Sequence, residues 1–194
     1  MIQVSIDGAP AAMASFRGRA EKIPSALARA INRTIGSVRT VMVREIAGDM
    51  GLASKVVRDA LSLREAVPDR PEATLGAKLK RTPLIAFGAS GPEPSRGRGR
   101  GVSYKLSGSR DRIQSAFIAT MPSGHRGVFI RKARARLGIR ELFGPSIGHV
   151  FGKYRPAGLA RAREVLVPNM RHELEWSSGG AGASVQAVGD AGAN

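Results

Sequence analysis

Cysteine is missing from all 194 residues, which excludes a disulfide framework and any thiolate metal site. Aromatic residues make up only 5% of the chain. None of them interleaves with the arginines, which argues against recognition of single strands by base stacking. No segment approaches the roughly 18 to 20 apolar residues needed to cross a bilayer. The opening MIQVSIDGAPAAMASF lacks a basic stretch followed by an apolar run, so no secretory signal is expected. These absences point to a chain that is soluble or part of a soluble assembly.

Acidic residues are scarce where basic ones are dense. Residues 78–140 hold 15 Lys/Arg against 2 Asp/Glu, whereas residues 1–77 hold 11 against 8 and residues 141–194 hold 5 against 5. The net charge of +16 therefore resides almost entirely in one central segment. Evenly spread charge serves solubility, whereas concentrated charge implies a polyanion or an acidic protein face as partner. The hydrophobic share of 42% is enough for a core, and 24 glycines and 11 prolines imply many turns. The length suits one domain, expected over 1–176, followed by a disordered Gly/Ala-rich tail over 177–194.

Periodicity predicts an α+β chain: a long N-terminal amphipathic helix and a C-terminal helix on a small antiparallel sheet with long basic loops. IQVSI predicts a short strand ending at Asp7-Gly8. From about Ser25 to Asp49, residues Leu27, Ile31, Ile35, Val38, Met42 and Ile46 fall on one arc at helical spacing. Arg29, Arg33 and Arg44 lie opposite, predicting a helix with one buried stripe. Gly51-Leu52 suits a left-handed cap, and Ser54 opens a second helix expected to reach about Arg64, where Pro68 and Pro71 end it. The pair superficially resembles a helix-turn-helix. Its second helix offers too few polar side chains to read bases, and its first is too long. Runs at 84–90, 102–106, 115–120 and 127–133 predict a four-strand antiparallel meander. A further strand and loop are expected over 137–151, and a helix over 155–176 that Pro168 should kink or split.

Catalytic patterns fail on inspection. GPSIG at 144–148 has the letters of a nucleophile elbow, but Pro145 suits the strained turn poorly and no helical pattern follows at once. It reads as a turn holding an ordinary serine. At Gly152-Lys153, Tyr154 stands where a phosphate loop needs Ser or Thr. His125, His149 and His172 have no metal-ligand spacing. No catalytic, cofactor-binding or metal-ligating residue is expected. What remains is basic: Arg96, Arg98 and Arg100 alternate with glycine, and Arg131, Lys132, Arg134 and Arg136 form a denser run flanked by Arg126 and Arg140. The eight residues Arg96, Arg98, Arg100, Arg126, Arg131, Lys132, Arg134 and Arg136 are the candidate contacts to a polyanion or acidic partner.

AINRTIGSVRTVMVREIAGDMGL and AFIATMPSGHRGVFIRKARARLGIRELFGPSI resemble the bacteriophage minor tail protein Z family of lambda-like tails, over about residues 20–175. GHRGVFIRK followed by RLGIRELFGPS is the more specific part. The resemblance implies a structural virion protein without catalytic residues or cofactors, placed in the tail or neck. It would sit at the head-proximal end, in a ring of its own copies against other tail and neck proteins, after assembly in the host cytoplasm. Position beside the entering genome would give the basic segment a use, through non-specific DNA contact. The alternative from another class is an independent, sequence-nonspecific nucleic-acid-binding protein.

Overall fold

The computed structural model describes residues 1–5, 22–93, 101–132 and 138–177. Strand β1, Ile2–Ser5, precedes helix α1, Ile23–Met50, a span of 28 residues or about 42 Å. Pro24 sits in its first turn, where a missing N–H costs nothing. Gly51 closes it at φ 68°, with its N–H bonded to the carbonyl of Ala47, and Leu52 donates to the same oxygen at 3.1 Å. The predicted stripe is buried throughout, from Leu27 to Ile46. A second face, with Ala26, Ala30 and Thr34, is buried as well.

That second face receives helix α3, Ile147–Ser177, which runs antiparallel to α1. Arg29 meets Glu173 at 2.7 Å, Asn169 donates to Thr34 Oγ1 at 3.0 Å, and Lys153 meets Asp49 at 3.1 Å. Two of the three arginines placed opposite the stripe thus serve the helix pair: Arg33 also reaches Glu173, at 3.6 Å, whereas Arg44 meets Glu45 of its own helix. Helix α3 begins well before the expected residue 155, and Pro168 does not split it. Pro156 and Pro168 both lie inside the helix on its exposed side. There the carbonyls of Gly152 and Glu164, which lose their helical partners, can bond water instead.

The second helix, α2, is shorter than predicted: it covers Ser54–Ala60, and the chain then extends as β2, Leu61–Arg64. LSLR alternates apolar and polar, which suits a strand better than a helix end. It pairs antiparallel with β3, Glu72–Ala77, a strand sequence reading missed. Pro68 and Asp69 occupy the hairpin tip between bonded Val67 and Arg70. With β1 this makes a three-stranded sheet in the order β1-β3-β2. Asn32 of α1 pins the hairpin by donating to Ala66 O at 2.9 Å and accepting from Ala66 N–H at 2.7 Å. Ala66 is buried, so Asn32→Ala strands both a donor and an acceptor. The expected loss is about 2 to 4 kcal/mol, read as a fall in Tm of roughly 5 to 15 °C; an unchanged Tm would mean water replaces both bonds.

The predicted meander also divides. Residues 84–90 do not form a strand: Leu84–Phe87 is a 3-10 turn ended by Gly88 at φ 61°. It follows β4, Arg81–Pro83. Phe87 is fully buried, so the apolar run fills the core rather than a sheet. β5, Val102–Leu106, and β6, Ser109–Ile113, form one hairpin. β7, Ala116–Thr120, β8, Arg126–Arg131, and β9, Ile139–Glu141, form a second antiparallel sheet. β10, Phe143–Ser146, pairs with β4. The small sheets share one apolar cluster with the helices, containing Val57, Leu75, Phe87, Val102, Ile118, Val128 and Phe151 beside the α1 stripe. The class is α+β, as expected.

Candidate partner-contact surface

The basic central segment folds as the part of the molecule from β4 to β9. Arg96, Arg98 and Arg100 lie outside the described residues, but both ends of their segment are fixed. On one side Ser90 and Ser103 exchange two backbone hydrogen bonds of 2.8 Å, and Pro92 O accepts from Ile118 at 2.9 Å. Glu93 then meets Arg126 at 2.9 Å. On the other side Gly101, at φ +87°, lies so close to the β5–β6 base that a Cβ would stand 2.3 Å from Ile113 O. Gly91 and Gly101, on either side of the arginine–glycine segment, thus stand close together at the foot of this hairpin: a Cβ on Gly91 would lie 2.9 Å from Gly101 O.

The other expected contacts do not gather at one point. Arg126 starts β8 and Arg131 ends it, roughly 16 Å apart along an extended strand. Arg126 is engaged by Glu93. Arg131 is exposed, with its guanidinium 5.4 Å from the Phe117 ring. Lys132 is exposed, and its N–H donates to Gly138 O at 2.6 Å. Arg134 and Arg136 lie outside the described residues.

Sequence reading found β5 and a turn after it but missed β6, the strand that completes the hairpin. Register pairs Lys105 with Arg110 and Ser103 with Arg112, so Lys105, Arg110 and Arg112 share one face of the ribbon. All three are exposed. Lys105 and Arg110 are like charges directly opposite, an arrangement that destabilises a strand pair. The nearest acid does not relieve them. Asp111 is on the other face, paired with Tyr104 and accepting from its hydroxyl at 3.4 Å. Burial, followed by that carboxylate, holds the Tyr104 hydroxyl above its usual pKa, so it remains a donor. None of the three cations has an ion-pair partner among the described residues. The available signal was Ser107-Gly108, a two-residue turn with both φ positive at 47° and 84°, joining VSYKL to the apolar-poor SRDRI.

GPSIG is not the turn expected from the sequence: Ser146 ends β10, and α3 follows at once from Ile147. Ser146 is buried, at 2% exposure, and its Oγ accepts the Gly148 N–H at 3.1 Å, capping α3. Ser146→Ala is expected to cost about 1 kcal/mol, or roughly 2 to 4 °C in Tm, with phage titre unchanged; lost titre at an intact Tm would give Oγ a chemical role. Gly152-Lys153 lies inside α3. His125 pairs with Glu141 at 2.9 Å, and no metal-ligating group of three or more His, Asp or Glu occurs among the described residues. Among those residues no helix is long and apolar enough to cross a membrane.

The family model for prophage minor tail protein Z matches residues 7–177. The chain belongs to that family. It is a phage minor tail protein, and the match takes in every described element from α1 to α3. No curated protein and no solved structure matches it.

Proposed function

We propose that this minor tail protein completes the tail at its head-proximal end, as a ring of identical subunits with the basic lobe facing the passage taken by DNA. It acts as a structural part of the virion and carries out no catalysis. The observation that supports the reading is the unrelieved cationic face of the β5–β6 hairpin, with Lys105 opposite Arg110. A fold tolerates such self-repulsion at modest cost, and a phosphate backbone removes it. The arginine–glycine segment, which directly precedes Gly101 at the foot of that hairpin, adds Arg96, Arg98 and Arg100. Arg131 and Lys132 add exposed charge at the end of β8, and Arg134 and Arg136 follow them in sequence, whereas Arg126 contributes less because Glu93 already holds it. Contacts of this kind follow the duplex backbone without reading bases.

Ring formation suits a chain whose neighbours must surround a central passage. The test is complementation of a phage or prophage lacking this gene. Without the protein, full heads and finished tail tubes should accumulate unjoined, and the wild-type chain should restore joined particles. Joined, infectious particles in its absence would overturn the reading. The mass of the purified protein, alone and bound to tail tubes, checks the ring: a strict monomer in both states contradicts it.

A further inference from the structure

Between α1 and the α2–β2 segment runs an open groove of about 760 Å³. Its floor is apolar, with Val43, Leu52 and Leu63, and its rim carries Arg39, Arg44 and Arg58. No acid lines it. Gly36 and Gly48 border the groove, and a Cβ on either would meet nothing within 4 Å, so a partner backbone can come close to α1. Across Thr40 and Arg44 the groove adjoins a second hollow of about 680 Å³ between α1 and α3.

The cations on the rim are incompletely paired. Among the described residues Arg44 meets only its neighbour Glu45, at 2.9 Å. Arg39 donates through Nη2 to the carbonyl of Arg58 at 3.2 Å. Its Nε is buried and has no hydrogen-bond partner among the described residues. Arg58 is exposed. That Nε is enclosed, so an arriving carboxylate would meet the rim through the exposed Arg44 and Arg58 and the part-exposed remainder of Arg39.

We propose that this groove docks an acidic amphipathic helix of a different protein, with aliphatic side chains on Val43, Leu52 and Leu63 and carboxylates against the three arginines. Charge complementarity decides the occupant. A second copy offers no match: the exposed residues of α1 and α3 include Arg33, Arg44, Arg155, Arg163 and Arg171 against Glu164 and Glu175, and no acid-rich face. Duplex DNA would meet the arginines but has no surface for the apolar floor. Helix-in-groove docking uses both kinds of contact. The proposal is independent of the hairpin's role at DNA.

The test uses the full chain and a synthetic helical peptide with leucines at i, i+4, i+7 and i+11 and glutamates beside them. Titration by fluorescence anisotropy should give a micromolar Kd that rises with salt. A peptide of the same charge with serine for leucine should bind at least about tenfold more weakly, since the apolar floor is then unused. Arg58→Glu and Arg44→Glu, both at exposed positions, should each weaken the leucine peptide by about tenfold at unchanged Tm; Arg39→Glu should do the same if it folds. Equal binding of the two peptides, or unchanged binding by the exposed variants, overturns the proposal. So does displacement of the peptide by duplex DNA that depends on the same arginines. A self-association abolished by Arg58→Glu would assign the groove to a second copy and likewise overturn it.

Discussion

Gly101→Ala is expected to destabilise the protein by more than about 3 kcal/mol and to lower Tm by roughly 10 °C or more. Two effects add at this position. The backbone is at φ +87°, and a Cβ would stand 2.3 Å from Ile113 O and 2.4 Å from Gln114 Cα. Both neighbours are backbone, so neither can swing aside. Gly88 separates the two effects, because its φ is also positive, at +61°, but a Cβ there meets nothing within 4 Å. Gly88→Ala should therefore cost only the conformational strain, about 1 to 2 kcal/mol. Thermal melts of the two variants make the comparison. Equal losses would mean that the foot of the β5–β6 hairpin yields, and that Gly101 is not held tightly against Ile113 and Gln114.

Reversing the hairpin charges, with Lys105, Arg110 and Arg112 all replaced by glutamate, is expected to lower Tm by no more than about 4 °C, through loss of the 3.3 Å bond from Arg110 Nη1 to Ser103 Oγ. The change removes one like-charge pair but creates another, and the three side chains are exposed. Binding to duplex DNA should fall steeply and remain indifferent to sequence. Each phosphate neutralised contributes about −0.9 to the slope of log affinity against log salt, so losing three contacts should flatten that slope by about 2.7. Glutamine at Arg96, Arg98 and Arg100 should flatten it by a similar amount, because three cations are again removed. Titre in a complementation assay should fall with the slope. A reversed hairpin that binds DNA with the original slope and restores full titre would remove the DNA-facing role from β5–β6.

The elements legible in the sequence were those whose pattern is local. The α1 stripe from Leu27 to Ile46 has helical spacing and needs one partner surface to explain it. β5, β7 and β8 are β-branched or aromatic runs between turn residues. What escaped depends on contacts far along the chain. Arg29 and Arg33 belong to a polar face until Glu173, 144 residues after Arg29, arrives from α3. LIAF has the composition of a strand, yet Phe87 is needed in the core, where Gly144 leaves room for its ring: a Cβ there would stand 2.5 Å from Phe87 Cε2. β2 was hidden because LSLR continues directly from α2 without a breaker. At the contact surface, clustered arginines drew attention to 96–100 and 131–136. The hairpin cations were overlooked because only strand register brings Lys105 against Arg110.

A cryo-EM map of the joined particle decides where this protein sits. It is expected there as a closed ring between the head and the tail tube. The β5–β6 hairpins should line the central passage, with Lys105, Arg110 and Arg112 within reach of DNA phosphates. A map placing it at the far end of the tail, or in the neck with those hairpins turned outward to solvent, would contradict it.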